Sequence, residues 1–311
     1  MADYLTFQNL IDEVQRAVKA TGGSIESLIK HTINMVYLNE LLASDDLYPL
    51  FWLTDFDDSL KAKAPATITG ITKAAPGVIT AAAHGFAAGD IITIYGLSEM
   101  TQLNNRTFRV SSTGLATNTF SITDLEASGD ISTASYTAET TGGKAHHRGL
   151  TLATTGKNVQ RILKCKWHDE LPLEPIGIDE IENEDSVMGD STSRPSRYYH
   201  RKAFTTTGTE VNQLLWFQAA DQAYDLRYWF EKRPSKLETA ATDVPLLPPQ
   251  FQYGIVAGSV MRLSQSGVEV ETPLVWPGVY KSHVAALLAF NRKHYEKANL
   301  FEMESQKPYL L

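Results

Sequence analysis

The sequence predicts an α+β protein in which helices from the N- and C-terminal ends form one bundle, beside a β region and an inserted small all-β domain. Three observations lead to this prediction. Apolar residues recur with the helical period near both ends of the chain. Short runs rich in Thr, Ser and β-branched residues recur between residues 66 and 145. Longer strand-like runs, with apolar and charged residues interleaved, lie between residues 159 and 234.

Two helices are predicted in the first 60 residues. Thr6 is placed to cap the first helix, whose apolar stripe includes Leu10 and Ile11. A Gly-Gly pair ends that helix, and the second helix is expected to turn Leu28 and Ile29 inward. Neither helix can bury its apolar stripe alone. We therefore expect helices from the C-terminal end to complete the bundle.

The composition of the chain changes abruptly after residue 64. The following 80 residues contain neither Trp nor Cys, and their borders, Ala-Pro at 64–65 and Gly-Gly at 142–143, are typical of the hinges of an inserted domain. The predicted domains are therefore a main domain formed by residues 1–64 and 149–311 and an inserted all-β module at 65–148.

Two further helices are predicted after the second β region. In the first of them, Gly254 and Gly258 stand four residues apart on one face, which allows a neighbouring helix to approach closely. The last helix is expected to bury Val284, Leu287 and Leu288 in the bundle.

The bulk composition excludes several classes of protein. The 311 residues include 36 acidic and 28 basic side chains, and the resulting net charge of −8 argues against non-specific binding to nucleic acid. No run approaches the roughly 20 apolar residues of a membrane helix. The single cysteine, Cys165, excludes an intrachain disulfide, and the first residues lack a secretion signal pattern. We therefore expect no membrane contact and folding in a cytoplasm.

The first candidate for a catalytic group is His84, in the stretch "VITAAAHGFAAGDIITIYG". Acid–base or nucleophilic chemistry needs a base oriented by a carboxylate and a nucleophile within reach. The nearest carboxylate in sequence, Asp90, lies six residues away, and no Ser or Cys motif accompanies it. We therefore expect His84 to hold a turn by hydrogen bonds, with Phe86 anchoring that turn in the core.

Other clusters of polar residues are also better explained by structure than by chemistry. His146 and His147 are adjacent, so on a strand they point to opposite faces and do not share one metal ion. The "CKWHDE" stretch that begins at Cys165 is typical of a strand that runs into a charged turn. The acidic residues between 179 and 185 lack the pattern of a calcium loop, and no phosphate-binding glycine motif occurs. We therefore predict no enzyme activity, no cofactor and no metal.

Several short motifs of the module occur together in one known kind of domain. They are His84-Gly85-Phe86, Gly89-Asp90, Ile94-Tyr95-Gly96, the segment 100–104 followed by Arg106-Thr107-Phe108, and Asn118-Thr119-Phe120. With these motifs the module resembles a small β domain of tailed-phage structural proteins, which is similar to the first catalytic-cysteine half-domain of ubiquitin-activating enzymes. The resemblance implies a phage origin but no ubiquitin chemistry, because the module has no cysteine.

The rest of the chain carries a second resemblance, in the order and spacing of its segments. An N-terminal helix pair is followed by "LPLEPIGIDEIE", "RPSRYYH" and "AYDLRYWFEKRPSKLETAATDVPLLPPQF", which leads into the closing helices. In these features the chain resembles the head-to-tail adaptor (connector) proteins of tailed bacteriophages. It departs from the family in the inserted module, which many adaptors lack.

The second resemblance implies a function and a set of partners. Adaptors form a ring, here expected to be a dodecamer, that joins the portal protein to the tail or nozzle protein of the virion after assembly in the host cytoplasm. Double-stranded DNA passes through the lumen without specific binding, and the module would contact a tail fibre or the capsid. By analogy with the family, Phe301, Tyr309, Leu310 and Leu311 form an arm that docks on the portal.

Two alternatives stay open at the level of sequence. The first is another neck or tail component, such as a terminator-like protein or a baseplate-type protein that holds fibres. The second is a glycan-active enzyme or a lectin built on the β module. A closed ring under the electron microscope would separate the adaptor from the enzyme or lectin. Binding to the portal rather than to a tube or fibre would separate it from other tail components.

Overall fold

The computed structural model divides the chain into two compact units, one formed by Met1–Thr54 with Arg233–Leu311 and the other by Asp55–Lys232. The structure describes residues 4–19, 22–42, 50–127, 129–140, 142–152, 157–169, 171–177, 191–204 and 210–305, except for the side chains of residues 51 and 295–305. Each unit is described by itself below.

The first unit is built from helices. They are α1 (Phe7–Ala17), α2 (Gly23–Met35), a π-helical turn (Val36–Leu41) that continues α2, two 3-10 turns (Phe51–Leu53 and Pro249–Phe251), α3 (Tyr253–Gln265) and α4 (Trp276–Ser305). Thr6 caps α1 as predicted: its side chain accepts a hydrogen bond from the Asn9 N–H, and the Asn9 side chain accepts one from the Thr6 N–H. This reciprocal pair fixes the start of α1.

One apolar core joins the helices from both ends of the chain. Leu10, Ile11, Ile29 and Leu287 are buried in it, and Val284 is half-buried against it. Leu28 is 37% exposed, so the prediction that it packs inward is wrong. Neighbouring residues on a helix point about 100° apart, so one of two adjacent apolar residues can lie at the edge of the buried stripe. In α2 Ile29 faces the core and Leu28 lies at that edge.

Gly258 lies where α3 meets two other elements of the first unit. A Cβ atom at this position would stand 2.7 Å from Val36 Cγ1 and 2.8 Å from Tyr280 Cε2. Both distances are shorter than any real contact, so the glycine permits the close approach that the sequence indicated.

Replacing Gly258 by Leu should therefore destabilise the first unit by about 2 kcal/mol or more, because the added side chain overfills a packed core. Urea denaturation followed by far-UV circular dichroism measures the loss. Gly23→Ala is the matched control, since a Cβ at Gly23 meets nothing within 4 Å, and it should change stability by less than about 0.5 kcal/mol. Equal stability of the two variants would contradict the close packing.

The second unit is built from strands. They are β1 (Thr54–Ala62), β2 (Ala66–Ile68), β3 (Gly70–Ile71), β4 (Ile79–Thr80), β5 (Asp90–Tyr95), β6 (Arg106–Val110), β7 (Thr119–Phe120), β8 (Ile122–Asp124), β9 (Gly143–Thr151), β10 (Val159–Trp167), β11 (Pro172–Pro175), β12 (Arg197–Phe204), β13 (Glu210–Phe217) and β14 (Tyr224–Lys232). In the described residues, 11 of them form one mixed sheet in the order β1-β14-β10-β11-β12-β13-β9-β5-β6-β8, with β2 paired to β9. The strands β3, β4 and β7 form a second, small sheet.

The second unit contains two separate apolar clusters. One lies within residues 66–145 and includes Ile68, Ile92, Ile94, Phe108 and Phe120. The other is formed mainly by residues 150–230 and includes Trp167, Leu214, Trp216, Tyr228 and Phe230. The module predicted at 65–148 therefore has its own core, although its strands share a sheet with the residues that follow.

The predicted fold class is wrong. The chain is mostly β, with 28% of it helical, and is not a helical bundle with a small inserted β domain. The strand β9 explains the difference, because it crosses the border predicted at 148/149. It pairs with β5 along one edge and with β2 and then β13 along the other. Residues 145–151 of β9 are all buried. A strand that is buried on both faces lacks the alternation by which a sequence reveals a strand.

Candidate functional site

His84 closes the turn that precedes β5. Its Nδ1 accepts a hydrogen bond from the Phe86 N–H at 3.0 Å, so its Nε2 carries the proton and donates to the Ala116 carbonyl at 2.8 Å. The ring packs against Phe86 and Phe120, with centroid distances of 5.3 and 4.9 Å. Both nitrogens of His84 are thus used to hold backbone groups.

Asp90 does not approach His84 as a catalytic partner. One of its carboxylate oxygens, Oδ2, accepts hydrogen bonds from Lys63 Nζ at 2.5 Å and from the Ala87 N–H at 2.8 Å. Its other oxygen, Oδ1, lies 3.5 Å from His147 Nε2, and His147 Nδ1 accepts from the Lys63 N–H at 3.1 Å. Lys63, which is half-buried, and the buried Asp90 and His147 form one cluster, which we call the Lys-Asp-His cluster.

The charges of the Lys-Asp-His cluster follow from burial and pairing. Burial acts to raise the pKa of Asp90, but His147 and Lys63 together hold that pKa below its ordinary value. Burial lowers the pKa of His147, despite the neighbouring Asp90 carboxylate. At neutral pH Asp90 is therefore ionised and His147 is neutral.

The cluster borders a surface cavity of about 480 Å³, lined by Ser59, Lys61, Lys63, Ala87, Asp90 and Leu150 among others. Asp90 is already paired with Lys63, and His147 is fully buried behind it. The cluster joins the segment after β1, the first residue of β5, and β9. Its geometry therefore suits fastening these three segments together better than activating a bound molecule.

The other candidate groups also have structural surroundings. His146 packs on Tyr95 with a centroid distance of 5.0 Å, whereas His147 packs on Phe86 and Trp216, so the two histidines point to opposite sides of β9. Burial raises the pKa of the Cys165 thiol, which disfavours the reactive thiolate. Within the described residues, no group of three or more His, Cys, Asp or Glu side chains could hold a metal ion. The acidic stretch at 179–185 lies outside the described residues.

The longest helix has an exposed apolar side. Leu288 is 60% exposed, and the small residues Ala285 and Ala289 beside it on the helix are exposed as well. These three residues define the outer face of α4. Leu274 and Val275, 93% and 55% exposed, lie in the turn just before the helix.

Leu288 was predicted to be buried, and that prediction is wrong. Leu287, its neighbour, occupies the inward position in the core. The outer face has exposed cationic residues at its rim, Lys281, Arg292 and Lys293. The adjacent Leu-Leu pair was the signal in the sequence that could have indicated this face, because neighbouring residues on a helix point about 100° apart and one of them can lie outside the buried stripe.

The predicted arm is described only in part. Phe301 lies within α4, but its side chain is outside the described residues, as are Tyr309, Leu310 and Leu311. Among the described helices, none is both long enough and apolar enough to cross a membrane. No known protein-family model matches this chain, and comparison with curated proteins finds no relative.

Proposed function

We propose that the protein is a structural component of a tailed-phage virion, where copies of it form the head-to-tail adaptor ring between the portal and the tail. The outer face of α4 is the observation that supports this function best. In a closed ring each subunit presents two different surfaces to its two neighbours. The outer face of α4 is one such surface, and a neighbouring copy covers it.

The composition of the outer face fits an interface between copies. Exposed apolar side chains on one side of a helix are typical of a contact site, and those of the outer face have polar neighbours, as the centre of an interface does. Its rim is basic, whereas the chain as a whole has a net charge of −8. A basic rim is attracted to an acidic surface of a neighbouring copy, whereas two basic rims repel each other. The charges therefore favour contact between two different surfaces of neighbouring copies.

The surroundings of the candidate catalytic groups support a structural function as well. His84 uses both ring nitrogens to hold the turn before β5, and Asp90 is neutralised by Lys63. Their hydrogen-bonding capacity is committed within the fold. The excess of acidic residues also suits a ring with a lumen for DNA, because an acidic wall does not hold the passing phosphates.

Replacing Leu288 by Glu should prevent ring formation. The change places a charge at the centre of the apolar face, which should weaken each contact between copies on the order of 30-fold or more, since central interface residues contribute about 2 kcal/mol or more. Mass photometry across a concentration series measures the fraction of rings, and negative-stain electron microscopy shows their closure. The wild-type chain should form closed rings, whereas Leu288→Glu should give folded monomers.

The matched control is Phe204→Glu, since Phe204 is 67% exposed at the end of β12 and far from the outer face in sequence. This variant should form rings like the wild type. A wild-type chain that stays monomeric at all concentrations, or a Leu288→Glu chain that closes rings normally, would overturn the proposal for the outer face.

Binding to a partner separates the adaptor from other neck and tail components. Wild-type rings should co-sediment with purified portal rings, and Leu288→Glu monomers should bind them far more weakly, because a ring presents many contacts at once. Rings that bind a tail tube or fibre but not the portal would favour the alternative component. Monomers that bind a glycan would favour the lectin or enzyme instead.

A further inference from the structure

A second apolar surface of the first unit forms a groove of about 420 Å³, lined by Tyr4, Trp52 and residues 244–249. The wall formed by 244–249, Val-Pro-Leu-Leu-Pro-Pro, contains three prolines. Prolines have no N–H, so this wall presents apolar rings and carbonyl acceptors. We call this surface the proline groove.

Buried polar contacts hold both walls of the proline groove in place. The Gln252 side chain is fully buried, and its Oε1 accepts from the Leu5 N–H at 2.7 Å, next to Tyr4. Its Nε2 donates to the Leu247 carbonyl at 3.0 Å, in the opposite wall. The Tyr37 hydroxyl also accepts from the Leu246 N–H at 2.8 Å. The groove is therefore preformed, which lowers the entropy lost when a ligand binds.

Three large side chains at the rim of the groove are left open to solvent. Tyr4 is 59% exposed, Leu246 45% and Val244 38%. A ligand with apolar and aromatic side chains in an extended conformation would cover them. Residues 308–311 of this chain, Pro-Tyr-Leu-Leu, have that chemistry.

We propose that the proline groove of one copy binds residues 308–311 of a second copy. The tail of the same copy is too short to reach back. Phe290 of α4 marks the level of the groove, because its ring lies 6.4 Å from that of Trp52. From there α4 continues to Ser305, a further 15 residues and therefore roughly 22 Å.

Tyr309 follows Ser305 by four residues, which span at most about 14 Å of extended chain. The return path of roughly 22 Å is longer than the span to Tyr309, so residues 308–311 cannot all lie in the groove of their own copy while α4 stays helical. A neighbouring copy is the source that the geometry allows. The inference needs self-association, and it differs from the sequence-based hypothesis that the arm docks on the portal.

Disulfide trapping between two single-cysteine variants tests this inference. Chains carrying Tyr4→Cys and chains carrying Leu310→Cys are mixed, assembled and oxidised mildly, and the products are separated on a non-reducing gel. The native Cys165 is buried and should not interfere. A two-chain product that forms only when both variants are present is the expected result. Leu310→Cys mixed with Phe204→Cys is the matched control and should stay uncrosslinked.

Two results would overturn the inference. The first is a mixture that gives no two-chain product, while the arm becomes protected only when portal is added. The second is a doubly substituted chain that forms only an internal disulfide, which would place the tail in its own groove. Tryptophan fluorescence gives an independent measurement. A peptide of residues 306–311 should alter the emission of a chain ending at Ser305 but not that of the same chain with Trp52→Phe, which separates Trp52 from the other four tryptophans. A peptide with Tyr309→Ala and Leu310→Ala should alter neither.

The outcome is separable from that of the proposed function. Closed portal-binding rings without the crosslink would leave the adaptor function standing and remove the groove contact. Crosslinked oligomers that never bind portal would support the groove contact and remove the adaptor function.

Discussion

Replacing Asp90 by Asn should destabilise the second unit by about 3 kcal/mol at pH 7.5. The Asp90 carboxylate is 7% exposed, and it neutralises Lys63 while facing His147. The amide has the same shape but no charge, so the ammonium of Lys63, whose side chain is only 22% exposed, loses its carboxylate partner. Removing one partner of a buried ion pair costs far more stability than replacing both partners by apolar groups, because the remaining charge stays desolvated.

The matched control is Asp225→Asn. Asp225 pairs with Lys61 at 2.8 Å, but both side chains are about half-exposed. An exposed pair contributes about 1 kcal/mol or less, so this variant should be nearly as stable as the wild type. Urea denaturation followed by tryptophan fluorescence suits the comparison, because Trp216 packs directly on His147. If the two substitutions had equal effects, the Lys-Asp-His cluster would not stabilise the unit.

The effect of Asp90→Asn should grow as the pH falls from 7.5 to 5.5. The pKa of His147 is lowered in the folded state, so the unfolded chain binds its proton first, and stability is lost as the pH drops below about 6.5. Asp90 opposes this shift by raising the pKa of His147. Without that carboxylate the shift is larger, so the variant should lose stability more steeply over this range. A difference between wild type and variant that stays constant with pH would contradict the coupling.

The stability that Asp90 itself contributes depends on pH in a lower range. Its folded-state pKa is lowered, so its contribution is fully present above its unfolded pKa, about 3.9, and is lost as the pH falls through the folded value. The two groups therefore act in separate ranges, His147 below about pH 6.5 and Asp90 below about pH 4. Burial also lowers the pKa of His200, but His200 is present in both chains, so the difference between wild type and variant at pH 7.5 and 5.5 reports on His147.

Local features of the chain were predictable because neighbouring residues determine them. The cap at Thr6 and the stripe of Leu10 and Ile11 follow from the period of one helix. The adjacent pairs Leu28-Ile29 and Leu287-Leu288 were not resolved by that period, because either member could face the core. The exposed members are Leu28 and Leu288, and Leu288 lies in the proposed interface.

Long-range contacts were not predictable from a single sequence. Asp90 meets Lys63 and His147, which are far from it along the chain, whereas the sequence suggested only His84 as its neighbour. The sharing of β9 between two groups of strands was hidden for a related reason. Polar residues such as His146 are buried in β9, so the stretch reads as a charged hinge although it is the middle of a sheet.

Gly149 is the residue at which β9 meets β13, and replacing it by Ala should destabilise the second unit by about 3 kcal/mol. A Cβ atom there would lie 2.3 Å from the Leu214 carbonyl oxygen and 2.9 Å from the Leu215 Cα. Both are backbone atoms, so no change of rotamer relieves the clash, and the strands must separate. The expected loss is therefore at the upper end of the usual range for overpacking.

The region that Gly149→Ala destabilises tests the architecture, in addition to the size of the loss in stability. Residues 66–145 have their own apolar cluster, so their amides should keep much of their protection from hydrogen exchange in Gly149→Ala, while those of β13 lose theirs. Gly177→Ala is the control, since a Cβ at Gly177 meets nothing within 4 Å, and it should leave both regions protected. If both regions lost protection together, the two clusters would unfold as one cooperative body, and the sheet that β9 completes would be required for the module to fold.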